Sequence, residues 1–292
     1  MAHKAGFVNI IGNPNVGKST LMNALVGERL SIITSKAQTT RHRILGIVNG
    51  EDFQVIFSDT PGIIKPAYEM QEAMMNFVKS AFEDADILLY MVEVGEKDLK
   101  DETFFKKIIY SKIPVLLLIN KIDLSNQKDL ETHVALWKEK VPNAEIIPIS
   151  AKENFNVNEV FQRILDLLPE SPPYYPKDAL TDKPERFFVN ETIREKILLN
   201  YKKEIPYSVE VETEEFIEEE NIIRIRSVIM VERDTQKGII IGHKGEALKQ
   251  VGIQARADLE KFFGKQIHIE LYVKVNKDWR KNVNQLKRFG YN

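Results

Sequence analysis

Eight residues near the start of the chain, Gly12-Asn13-Pro14-Asn15-Val16-Gly17-Lys18-Ser19, have the types and spacing to hold a polyphosphate. They follow a short apolar run, Phe7–Ile11, and lead into Thr20–Leu25, which reads as a helix. Strand, G-x-x-x-x-G-K-S, helix is the phosphate-binding P-loop in its required setting. Its glycines let the backbone wrap the ligand, so successive N–H groups and the helix N-terminus face anionic oxygens. Asn13 through Thr20 are therefore expected along the nucleotide, with Lys18 at the outer phosphates and the Ser19 hydroxyl on Mg2+.

Further constellations follow in the order such a site needs. Asp59-Thr60-Pro61-Gly62 closes the run Phe53–Phe57, and a carboxylate at that strand end holds Mg2+ directly or through water. Gly62 joins the nucleotide set. Asn120-Lys121-Ile122-Asp123 ends the run Val115–Ile119, where open α/β sheets place ligands. This tetrapeptide selects the base. Asp123 can accept from both N1–H and the N2 amino group of guanine, whereas adenine offers neither donor there. The Lys121 stem can lie along the ring, and Asn120 can tie the loop to the P-loop. Ser150-Ala151-Lys152 follows the strand-like Ala144–Pro148 and offers backbone N–H groups to guanine O6, a reading that rests on its position alone.

The elements that must hold these residues are legible between them. Ile44–Val48 and Phe53–Phe57 flank Asn49-Gly50, a hairpin signal. Ile87–Val92 and Val115–Ile119 read as buried strands separated by the amphipathic segment Lys100–Tyr110, and helical runs follow at Leu130–Lys140 and Val157–Leu168. Strands alternating with helices predict an α/β domain with a mixed, mostly parallel sheet covered on both faces. At 292 residues the chain suits two domains. The first is expected over 1–170, a proline-rich linker over 171–184 and a second domain over 185–292. The net charge of −2 announces no global basic field, so any RNA surface must be local. The chain has no cysteine, which excludes disulfides and thiolate metal sites. With no room for a signal peptide and no apolar run near the ~20 residues of a membrane span, a cytoplasmic protein is expected.

The second half runs α-β-β-α-α-β, with Gly242-His243-Lys244-Gly245 between its adjacent helices. This α+β order matches a KH domain of the bacterial, type II kind. Such a Gly-x-x-Gly loop clamps the backbone of single-stranded RNA beside an apolar groove for splayed bases. Glycine lets the phosphate approach, His243 and Lys244 add donors and charge, and Ile239, Ile240 and Ile241 are expected to line the groove. Lys237 and Lys249 flank it. In the C-terminal segment, Trp279 and Leu286 are expected to pack inward, with the role of its basic face open.

The first half resembles the small GTPases of the translation-factor class. The resemblance implies that Thr40, preferred to Thr39 because it directly precedes Arg41, is the switch residue reaching Mg2+ and the γ-phosphate. Ras-like enzymes carry a water-orienting glutamine after their D-x-x-G; here Ile63 stands there, and neither it nor Ile64 can do that work. Asn15 matches an asparagine that helps place K+ in potassium-dependent relatives; a plain polar loop residue is the other reading. Lys18, Thr40 and Asn15 form the expected catalytic set, and Ser19, Thr40 and Asp59 the metal set. Over its whole length the chain resembles the Era family of bacterial GTPases. That resemblance implies GTP/GDP and Mg2+ as ligands, small-subunit ribosomal RNA near its 3′ end and the small ribosomal subunit as partners, a monomer, and some peripheral membrane association. The competing reading is a regulatory GTPase whose KH-like domain docks a protein or a membrane.

Overall fold

The computed structural model describes residues 2–99 and 101–291. The chain divides into two compact units, one reaching to Ala67 and from Gln71 to Asp182, the other running from Lys183 onward together with Tyr68–Met70. In the first, strands β1 (Lys4–Gly12), β2 (Ile44–Asn49), β3 (Phe53–Asp59), β4 (Ile87–Glu93), β5 (Val115–Asn120) and β6 (Glu145–Pro148) form one sheet in the order β2-β3-β1-β4-β5-β6. Only β2 is antiparallel to its neighbour, through the expected hairpin. The parallel strands β1, β4 and β5 are nearly continuous apolar runs because both faces are buried. Their C-terminal ends carry Gly12, Glu93 and Asn120, so the motifs emerge along one edge of the sheet.

The helices are α1 (Lys18–Val26), α2 (Glu69–Glu83), α3 (Glu102–Ile109), α4 (Gln127–Lys140) and α5 (Val157–Leu167). Helix α3 is capped by Asp101, whose carboxylate accepts from the Thr103 and Phe104 amides. Lys100, where the sequence pattern starts this helix, lies outside the described residues. Helix α2 was not anticipated. It buries Met70, Met74, Met75, Val78 and Ala81 along one face, and its methionines between charged residues weaken the apolar signal.

The proline-rich segment is no free spacer. Leu180 O accepts from Ile47 N–H at 2.8 Å, Asp182 Oδ1 from Leu45 N–H at 3.1 Å, and the Thr181 hydroxyl donates to Leu45 O at 2.6 Å. Gln54 Oε1 accepts from the Tyr174 and Tyr175 amides at 2.7 and 2.9 Å. Tyr175 and Ala179 pack on Leu45, Ile47 and Ile56. The segment to Asp182 thus covers the outer edge of β2, satisfying donors an edge strand would otherwise present to solvent.

In the second unit α6 (Glu185–Asn200) begins after Pro184. Strand β7 (Glu210–Glu218) pairs antiparallel with β8 (Ile222–Val231), and β8 pairs parallel with β9 (Gln266–Val275). Helices α7 (Asp234–Ile241) and α8 (Glu246–Phe263) lie between β8 and β9 in sequence, completing the α-β-β-α-α-β order. The core gathers Val189, Ile193, Ile197, Ile225, Ile229, Ile240, Val251, Ala255 and Leu259. Trp279 and Leu286 of the C-terminal segment, which ends in α9 (Val283–Arg288), are buried as expected. Among the described residues no helix is long and apolar enough to cross a membrane.

Candidate nucleotide site and nucleic-acid interface

The P-loop backbone depends on close approaches. A Cβ on Gly12 would stand 2.2 Å from Met91 O, and one on Gly17, whose φ is +104°, would stand 2.3 Å from Asn120 Nδ2. A Cβ on Gly62 would stand 2.6 Å from Pro14 Cα, so the 59–62 segment closes on the phosphate loop. Lys18 folds under this loop, its Nζ donating to Asn13 O at 2.8 Å and Gly12 O at 3.2 Å. Burial lowers its pKa to about 8, while the nearby negative charges of Asp59 and Glu96 work against that shift.

Ser19, Thr40 and Asp59 converge. The Ser19 hydroxyl donates to Asp59 Oδ2 at 2.7 Å and lies 2.9 Å from Thr40 Oγ1, which itself donates to Asp59 Oδ2 at 3.3 Å. Asp59 is fully buried, and burial raises its carboxyl pKa. Its other oxygen, Oδ1, is buried without a hydrogen-bond partner. Three oxygen donors and an unpartnered carboxylate oxygen fit a hard divalent cation such as Mg2+. Thr39 turns away from this group, its hydroxyl donating to Lys36 O at 2.7 Å and bonded to Thr34 Oγ1 at 2.7 Å. Geometry therefore separates the two threonines.

At the other end, Asn120 braces the site as the sequence suggests. Its Nδ2 donates to Val16 O at 2.8 Å and its Oδ1 accepts from Ala151 N–H at 2.9 Å. Asp123 Oδ1 accepts from the Ser150 hydroxyl at 2.6 Å, which aims the carboxylate. Lys121 Nζ pairs with Glu93, a partner no motif indicated. The backbone N–H groups of Ser150-Ala151-Lys152, expected toward guanine O6, are partly engaged within the protein. Ser150 N–H donates to Phe155 O and Ala151 N–H to Asn120 Oδ1, so two of them brace the loop.

One cavity of about 840 Å3 joins most of these groups, lined by Pro14, Asn15, Gly17–Thr20, Thr39, Thr40, Gly62, Asn120, Lys121, Asp123 and Lys152, while Asp59, Ser150 and Ala151 stand behind its wall. Asn13 and Val16 face elsewhere: Asn13 Nδ2 bonds Glu96, and Val16 is buried. Asn15, at φ +66°, donates to Ser35 O at 3.1 Å. Ile63 is fully buried, its amide donating to Gly12 O at 3.0 Å, so its side chain cannot orient a water. Ile32 and Ile33 also line the cavity and were missed, since two isoleucines in a loop carry no distinctive spacing.

In the second unit Gly242 (φ +72°), Lys244 (φ +50°) and Gly245 (φ +82°) make the tight connection between α7 and α8. A Cβ on Gly242 would stand 2.5 Å from that of Ala247, so only glycine fits. A groove of about 470 Å3 runs from this loop between α8 and β9. It is lined by Gly245, Leu248, Lys249, Gly252, Ile253, Arg256, Ile267, His268, Ile269 and Leu271. Gly245 and Lys249 were expected there; Leu248, Gly252, Ile253 and Arg256, which complete the helical wall at spacings of three and four, were the legible signal that was missed. The isoleucine run needs correction. Ile240 is 0% exposed in the core while Ile239 is 52% exposed, and Ile241 packs partly against the core. Consecutive helical residues turn by about 100°, so three in a row cannot share a groove. His243 and Lys244 are exposed at the loop, Lys249 is exposed on the groove, and Lys237 is partly buried on α7.

Fold and site together define a P-loop GTPase with an attached KH domain. Over 291 residues the chain is 43% identical to the GTPase Era of Staphylococcus haemolyticus, covering 99% of this chain and 97% of that one. The chain belongs to the Era family of GTPases. Residues 7–121 match the family described as 50S ribosome-binding GTPase, and residues 204–280 match the KH domain. The Era of Staphylococcus epidermidis is equally similar, at 43% over the same coverage. Two crystal structures superpose over 99% of both chains with TM-scores of 0.94. One is Era with MgGDPNP and nucleotides 1506–1542 of 16S ribosomal RNA, at 39% identity. The other is an Aquifex aeolicus Era variant bound to GDP and AlF4−, at 40%.

Proposed function

We propose that this chain is a GTP-driven switch that binds small-subunit ribosomal RNA near its 3′ end and assists assembly of the small ribosomal subunit. The observation that carries the reading is the joint presence of a complete guanine site and a glycine-gated apolar groove in one chain. The full-length relative holding MgGDPNP together with a 16S fragment supports it.

In this reading the Gly17–Thr20 backbone cradles the inner phosphates, Lys18 supplies charge at the outer ones, and Asp123 reads the base. Ser19 and Thr40, with Asp59 direct or through water, hold Mg2+, which supplies neutralisation of charge on the transferring phosphoryl oxygens. No side chain of the 59–64 segment activates the water, so the unassisted rate is slow and an assembling particle speeds it. Asn15, whose Nδ2 donates to Ser35 O, offers its Oδ1 to K+ in this reading; hydrolysis faster in KCl than in NaCl checks that part. Thr40 and Gly62 are joined to the γ-phosphate in the GTP state, and its loss releases both loops.

The test is binding to a single-stranded RNA copying the 3′ tail of small-subunit ribosomal RNA, with a GTP analogue and then GDP, beside a variant carrying Gly242→Asp and Gly245→Asp. Nucleotide-dependent binding that vanishes in the variant is expected. Equal affinity in both nucleotide states rejects the switch, and no binding in either moves the second unit toward a protein or membrane partner.

A further inference from the structure

The last residue of β4, Glu93, and the loop that follows it to Asp98 belong to none of the nucleotide motifs, yet they are bonded to two of them. Val94 N–H donates to Asn120 O at 3.1 Å, and the Glu93 carboxylate pairs with Lys121, so one end holds the guanine loop. At the other end Glu96 reaches the phosphate loop. One oxygen of its carboxylate accepts from Asn13 Nδ2, the other from Glu93 N–H at 3.0 Å. Asn13 Nδ2 also donates to Asp98 O at 3.1 Å. Asn13 is 5% exposed, so its side chain is committed to this loop, away from the nucleotide.

What Asn13 does for the site it does through its backbone. Its carbonyl accepts from Lys18 Nζ at 2.8 Å, the shorter of the two bonds that place this ammonium. We propose that Glu96 is a positioning residue for GTP hydrolysis: it clamps Asn13 and thereby fixes the head of the phosphate loop and the Lys18 ammonium. A carboxylate suits the place better than an amide. Both of its oxygens face N–H donors, and an amide would turn an NH2 toward one of them. Its negative charge also offsets part of the burial cost of the Lys18 ammonium.

The clamp acts on the part of the loop nearest the outer phosphates, where charge shifts most during transfer. Contacts to the base and the inner phosphates come from the Gly17–Thr20 backbone and from Asn120 and Asp123, which the clamp does not touch directly. Loss of Glu96 should therefore lower the rate of the chemical step more than nucleotide affinity. A residue that merely stabilised the fold would lower both together or neither.

The experiment uses the full chain, single-turnover GTP hydrolysis and GDP binding, with Glu96→Gln, Asn13→Asp and the double variant. Glu96→Gln should slow hydrolysis about tenfold while GDP affinity stays within about threefold, the size expected for one misplaced electrostatic contact. Asn13→Asp sets two carboxylates against each other and should slow it at least as much. In the double variant the introduced amide donates to the introduced carboxylate, while the bond to Asp98 O stays lost, so it should run faster than Asn13→Asp without reaching the parent rate. A Glu96→Gln rate within twofold of the parent overturns the proposal. So does a double variant no faster than Asn13→Asp, or a loss of GDP affinity equal to the loss of rate.

Discussion

Asn120 Nδ2 donates to Val16 O at 2.8 Å, so one side chain from the guanine loop holds the middle of the phosphate loop. Its Oδ1 holds Ala151 N–H, and Gly17 must lack a Cβ to let it pass. Asn120→Ala strands a buried carbonyl and a buried amide at once. Leaving such groups unpaired costs about 1–3 kcal/mol each. GDP affinity is expected to fall by ten- to a hundredfold, measured by fluorescence of a labelled nucleotide, with a lowered unfolding midpoint. Unchanged affinity would contradict the bracing role.

Thr40 and Thr39 are adjacent and chemically identical, which makes them a controlled pair. Thr40 Oγ1 sits with Ser19 and Asp59, whereas Thr39 Oγ1 is spent on Thr34 and Lys36. Thr40→Ala should lower GTP hydrolysis at least tenfold and raise the Mg2+ concentration needed for half-maximal rate. Thr39→Ala should change either by less than about threefold, since what it loses are hydrogen bonds within the loop, worth about 1 kcal/mol each. Equal losses in the two variants would refute the assignment.

How far the sequence carries a reader follows from the range of each interaction. The phosphate and guanine motifs were legible because their chemistry is set by local backbone and by position after a strand. Thr40 rather than Thr39 was legible only by likeness, and its geometry comes from the fold. Glu96 and Glu93 were silent because a carboxylate in a loop has no pattern until its partner is brought from elsewhere. The proline-rich segment was silent in the same way. Its composition marks a linker, and only contacts such as Gln54 with Tyr175, 121 residues apart, make it also the cover of an edge strand. The isoleucine run was a phase error, correctable in principle from the helical period.

That cover makes its own prediction. The Leu45 and Ile47 amides point outward from β2 to Asp182 and Leu180, while Gly46 and Val48 alternate toward β3. Combining Thr181→Ala with Asp182→Ala should speed hydrogen exchange at Leu45 and Ile47 by tenfold or more, about 1.4 kcal/mol of local protection. Gly46 and Val48 should keep theirs. Uniform loss along β2 would mean that the strand itself had come apart.

Lys18 links the site to pH. Burial takes it from 10.5 to about 8, so between those values the unfolded chain binds more protons than the folded one. Stability of the nucleotide-stripped protein should therefore rise with pH from about 8 to 10.5, and below pH 8 the cost of the buried ammonium is fully present. A phosphate beside it favours the charged form. GDP binding should then take up a proton above pH 8, and affinity should fall as pH rises, by up to about tenfold per unit. Titration calorimetry at pH 9 in two buffers of different ionisation enthalpy counts that proton. A count of zero would contradict the linkage.

Ile239 and Ile240 are neighbours with opposite tasks. Ile240 is enclosed by the core of the second unit, and its carbonyl accepts from Tyr201 OH at 2.7 Å; Ile239 is 52% exposed. Ile240→Ala removes buried methylenes and leaves a cavity, a change that costs about 2–5 kcal/mol. It should lower the unfolding midpoint of the second unit and weaken RNA binding only as far as that unit unfolds, so saturating stabiliser should restore it. Ile239→Ala should leave stability within about 0.5 kcal/mol, as exposed positions do. If RNA approaches along this face of α7, Ile239→Ala alone should weaken binding of the 3′-tail RNA without moving the midpoint. Full affinity in that variant would confine the RNA contact to the Gly242–Gly245 loop and the wall between α8 and β9.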